Sequence, residues 1–112
     1  MRVYLPTTLA RLATSVAAGQ MPADGDRYVA ADESEEAEYD ALAEAATAAT
    51  ELLDGPGRRV VLVADVPDAD AAFPTSLVVA VHADTEDVDP ARDDLPELGW
   101  YAVQEIPDLL GG

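Results

Sequence analysis

Two stretches decide the fold: "RRVVLVADVPD" (58–68) and "SLVVAVHAD" (76–84). Val60 to Ala64 are apolar without alternation, which predicts a central strand, covered on both sides or at a sheet centre. Residues 76–84 repeat the pattern, and about eight residues separate the two runs. So short a connection joins antiparallel strands most simply, because a parallel pair needs a crossover of a dozen or more residues. A sheet with an antiparallel centre is therefore expected.

The rest of the chain is built around that pair. "RVYLP" (2–6) predicts a first strand. "TTLARLATSVAAG" (7–19) predicts a helix, with Leu9, Leu12 and Val16 on one face, Thr7 or Thr8 as cap and Gly19 as stop. Residues 20–26 are rich in turn formers, and "RYVAA" (27–31) is a short strand candidate. Residues 34–55 predict a long helix in which Tyr39, Leu42, Ala46, Ala49 and Leu53 form a buried stripe at 3, 4, 3, 4 spacing. Ser34 or Asp32 caps it, Glu35 and Glu36 suit its N-terminal dipole, and Gly55–Pro56 ends it. Residues 85–98 are acidic and hold two prolines, which predicts a loop. "WYAVQEI" (100–106) predicts a closing strand and "PDLL" a final turn. The expected fold is α+β: one domain over residues 1–112, a two-layer sandwich with a small, mostly antiparallel sheet and two helices on one face.

Composition narrows function. The chain carries 23 acids and 6 Arg, for a net charge of −17. Residues 32–56 hold nine acids and no base, and residues 84–112 nine acids and one Arg. Such charge disfavours direct binding to nucleic-acid phosphates or anionic membrane surfaces. No apolar run approaches a membrane span and no signal-peptide layout opens the chain, so a cytoplasmic location is expected. With no Cys and a single His, thiolate chemistry and multi-His metal sites are excluded. With no Lys, a P-loop is excluded; GxGxxG and GxSxG motifs are absent, and no cofactor is expected.

The remaining chemistry is sparse. Ser76 and His82 share a face of one strand, but about 20 Å of strand separates them, so they form no triad. His82 reads as a general base or as a strand-end His satisfied by backbone or water. Asp65 reads as a site carboxylate at a strand end or as a turn residue. "DTEDVDPARDD" (84–94) lacks the EF-hand Gly and terminal Glu, so it reads as a solvated acidic loop with no dedicated metal site. Glu38 and Glu44 lie on the acidic side of the long helix, which is either a solvent face or a dock for a basic partner. In the closing strand, Trp100 reads as core, where it would bury roughly 200 Å², or as part of an exposed aromatic surface for a ligand or partner. Tyr101 and Glu105 face the other way, either covered or open to a ligand.

The segments "MRVYLPTTLARL", "EEAEYDALAEAA", "RRVVLVADVPD", "VVAVHAD" and "WYAVQEIPDLL", in this order, resemble a family of small acidic conserved hypothetical proteins of actinobacteria, a domain of unknown function. The resemblance implies a single cytoplasmic domain and brings no catalytic residue. The chain is shorter than the family pattern at 20–33 and 84–98.

Three functions follow as expectations. The first is a non-enzymatic module binding a protein partner, basic or a second copy of itself. The second is a small enzyme or ligand binder using Asp65, His82, Tyr101 and Glu105. The third is an acidic nucleic-acid mimic that occupies a basic groove.

Overall fold

The computed structural model describes residues 1–111. The chain runs β1 (Arg2–Thr7), α1 (Leu9–Ala18), β2 (Gln20–Met21), β3 (Tyr28–Val29), α2 (Glu35–Glu51), β4 (Val60–Asp65), β5 (Phe73–Pro74), β6 (Val78–Ala83), β7 (Gly99–Tyr101) and α3 (Ile106–Leu109). One sheet has the order β3-β1-β4-β6-β7, and β2 pairs with β5 apart from it. All assigned pairings are antiparallel. The α+β class and the antiparallel centre are those the sequence implies.

The layering differs from the expected two. On one face Val3, Leu5, Val60, Leu62 and Val81 pack with Leu12 of α1 and with Ile106 and Leu109 of α3. On the other, Tyr4, Val61, Val63 and Ala80 pack with Ala41, Ala45 and Ala49 of α2. The two long helices therefore cover opposite faces rather than one. The cause is the unbroken apolar run of β4: a helix layer on one side only would leave Val61 and Val63 in water.

The caps form as the residues dictate. Thr8 Oγ1 accepts from Arg11 N at 3.2 Å, and Gly19 closes α1 at φ 73°, where a side chain would be strained. Ser34 Oγ accepts from Ala37 N at 3.1 Å, and Asp32 Oδ1 accepts from Ser34 N at 2.7 Å. The long helix ends at Glu51, before the expected Gly55.

Three burial expectations are corrected. Val16 is exposed, and α1 buries Leu12 and Ser15. In α2 the sheet takes Ala41, Ala45, Ala48 and Ala49, whereas Tyr39 is 63% exposed. Trp100 is not core; it is 62% exposed. β7 is three residues long rather than seven, and residues Val103–Glu105 turn as a 3-10 helix. The tail is anchored by Ile106 and Leu109 instead.

Candidate functional site

Helix α2 carries two apolar stripes. The alanine stripe is small enough to lie close on the sheet. The second, Tyr39, Leu42 and Ala46, runs along the flank of the helix and faces a groove of about 620 Å³. Leu95, Pro96 and Leu98 form the opposite wall. Of the stripe that periodicity singles out, Ala49 is fully buried, Leu42 and Ala46 are partly buried against the α2 cluster, and Tyr39 stands open at the groove.

Arg59 holds the opposite wall in place. Its Nε donates to Asp84 Oδ2 at 2.9 Å and its Nη2 to Asp84 Oδ1 at 2.7 Å. Its backbone N also donates to Asp84 Oδ2, at 2.8 Å, and Asp84 N returns a bond to Arg59 O at 3.1 Å. Both residues are buried, at 6% and 1% exposure. A buried pair is tolerated only when its hydrogen-bonding capacity is filled, and here the carboxylate accepts three bonds. Arg59 Nη2 donates further to Pro96 O at 2.6 Å, which ties segment 92–98 to the sheet. Neither residue was singled out as a pair from sequence. The signal was available: Arg59 precedes Val60, Asp84 follows Ala83, and Val60 opposes Ala83.

The groove is rimmed by charge. Glu51, Asp93 and Glu97 line it, and among the described residues none of the three is in an ion pair. Arg92, also on the rim, is paired with Asp94 at 2.9 Å. The groove is therefore apolar inside and net acidic at its edge.

Asp65 and Glu38 are brought together by Arg2, which the sequence reading passed over. Arg2 Nε donates to Asp65 Oδ1 at 2.9 Å, Nη2 to Oδ2 at 3.1 Å and Nη1 to Glu38 Oε1 at 3.1 Å. Tyr4 Oη donates to Glu38 Oε1 at 3.4 Å. The Arg2 bond holds the Asp65 carboxyl below the usual carboxylate range, and Asp65 in turn raises the guanidinium. Burial, then the Glu38 charge, pushes the Tyr4 hydroxyl up. Asp65 is thus a bonded, ionised partner of Arg2, poorly placed to take a proton.

The other candidates stand apart. His82 opposes Val61 on one side and Trp100 on the other, four positions or about 13 Å along β4 from Asp65. It is half-buried, and burial lowers its pKa, which favours the neutral ring. Tyr101 lies against the opposite core face. Glu105 accepts from Ala102 N at 2.7 Å, closing a local turn. Glu44 is exposed and lines a separate hollow with Ser34 and Asp40. Asp65, His82, Tyr101 and Glu105 share no single cleft among those described.

Among the described residues no group of three or more His, Asp or Glu could hold a metal ion, and no helix is long and apolar enough to cross a membrane. No curated protein and no solved structure matches the chain. Residues 1–110 match a family of unknown function, DUF6912, and the chain belongs to that family.

Proposed function

We propose that the chain is a single-domain, non-enzymatic binding module that receives a basic protein partner in the groove beside α2. The observation that carries this reading is the groove itself: apolar walls from Tyr39, Leu42, Ala46 and Leu98, with unpaired carboxylates at the rim. Concave, mainly apolar surfaces with a few placed polar groups are the usual form of a binding site. The net charge of −17 favours a cationic partner, both at encounter and in the docked state. A second copy of the chain fits this rim poorly, since acid would face acid. The separate placement of Asp65, His82, Tyr101 and Glu105 favours binding over catalysis. A cytoplasmic setting and an actinobacterial source belong to the same reading; the Arg-only, Ala- and Asp-rich composition suits a GC-rich genome.

Selection from a random displayed-peptide library tests it. The winners should combine Arg or Lys with large apolar residues and should lose binding to Ala46→Gln, which puts a longer, polar side chain into the apolar groove. Winners that bind the variant equally well, or that carry acidic sequences, would contradict the proposal.

A further inference from the structure

The face of the sheet beneath α2 is buried as far as Ala80 of β6 and opens at its β7 edge, where Trp100 is exposed. Five strands at about 4.8 Å spacing make a sheet about 19 Å wide, and a helix is about 10 Å across. Helix α2 packs chiefly on β3, β1 and β4. Beyond it, on the same face, lie the β6 and β7 residues His82 and Trp100, opposed to each other in register. His82 opposes Val61, which α2 covers, so this row continues outward from the core. Trp100 stands at the end of the row, 62% exposed. Leu98, on the wall of the groove and packed against the α2-face cluster, precedes Trp100 by two residues, just before β7 begins. The Trp100 row thus lies next to the groove, whose lining reaches Leu98, two residues before Trp100.

The strip made by groove and row has the dimensions of a helix. From Tyr39 to Thr50 the groove wall of α2 is about 16 Å long, or three helical turns. The geometry points to a basic amphipathic helix of the partner as the occupant, lying alongside α2 and completing the helical layer over β6 and β7. Its apolar stripe meets Leu42, Ala46, Leu98 and Trp100. Its Arg and Lys residues meet the rim acids Glu51, Asp93 and Glu97, and a guanidinium can stack on the indole face. This rests on the binding-module reading and adds the form of the partner segment and the participation of Trp100. Charge selects the occupant: a helix from a second copy of so acidic a chain would bring like charge to the rim.

Trp100 is the sole Trp, so its emission reports on the strip directly. The probe is a synthetic peptide of about 18 residues with Leu on one face and Arg on the other, long enough to span the strip as a helix. Its controls carry Ser in place of Leu, or Glu in place of Arg. The Leu/Arg peptide alone should shift Trp100 emission to the blue and gain helical circular dichroism on binding. By fluorescence anisotropy of labelled peptide, Ala46→Gln and Trp100→Ser should each weaken binding about tenfold. If Ala46→Gln weakens binding while Trp100 emission and Trp100→Ser affinity stay unchanged, the helical strip is overturned and the groove reading survives. If the Ser control binds as tightly as the Leu/Arg peptide, or no peptide binds, the amphipathic helix is overturned; the displayed-peptide selection judges the groove separately. Concentration-dependent dimerisation that blue-shifts Trp100 without peptide would assign the strip to a second copy and overturn the proposal.

Discussion

Arg59 and Asp84 are the residues on which the groove depends. Asp84→Ala would leave a guanidinium at 6% exposure without its carboxylate, and should cost about 3–5 kcal/mol of unfolding free energy in urea titration. The double variant Arg59→Met/Asp84→Leu should recover most of that loss, because it removes both charges together. Equal losses in the two proteins would contradict this role. His82 gives a second residue-scale prediction. Its folded-state pKa lies below the ordinary 6.5 because the ring is half-buried. Between the lowered value and 6.5 the unfolded chain holds more protons, so acid favours unfolding. Stability should therefore fall through His82 as pH drops from about 7 towards 5, and His82→Gln should flatten that part of the profile. Unchanged curvature in the variant would count against it. The exposed Asp65–Arg2 pair works in the opposite window. Its carboxyl is held low, so its contribution is present above about pH 4 and is lost as pH falls further, with an effect within about 1 kcal/mol. Sequence pointed to Asp65 and Glu38 but not to Arg2 between them, because a contact across 63 positions leaves no local signature.

At the scale of elements, α2 shows why a legible period can still mislead. The 3, 4, 3, 4 spacing of its larger side chains marks a true stripe, and ranking by size makes that stripe the natural core. The sheet selects by closeness instead, and takes Ala41 and Ala45, one position away, together with Ala49 of the stripe. Alanines lie on more than one side of α2, so periodicity of the larger side chains alone cannot orient it. The two faces should respond differently to added bulk. Ala45→Leu, at a position with no exposure, should overpack the sheet contact and cost about 1–3 kcal/mol. Ala46→Leu, one residue on and facing the groove, should stay within about 0.5 kcal/mol. Thermal melts of the two variants would decide between these registers, and the reverse order would refute the observed one. β7 shows the same limit in a strand. Alternation placed Trp100 and Tyr101 on opposite faces, as found, but could not say which face α2 reaches.

For the whole molecule, the α+β class was readable from residues 58–84 because two buried strands with a short link admit little else. The three layers were implied by the same residues: Val60 to Ala64 need cover on both faces. The tail belongs to the folded body, but Trp100 is not the side chain that anchors it. Ile106 and Leu109 do the packing, so Ile106→Ala should cost about 2–5 kcal/mol, whereas Trp100→Ser should cost less than about 1 kcal/mol. In the proposed function, Trp100, exposed near the groove, is what ties fold to binding. The groove itself could not be read from sequence, since its walls come from α2, a proline-held loop and a buried ion pair far apart in the chain. The account stands or falls on where a basic amphipathic helix touches this protein. Mapping backbone-amide and Trp100 indole shifts by NMR during titration with the Leu/Arg peptide measures that directly. The predicted result is a set of perturbations running along Tyr39, Leu42, Ala46, Leu98 and the Trp100 indole. Shifts spread instead over the acidic outer side of α2 and residues 84–94, with the indole unmoved, would contradict it.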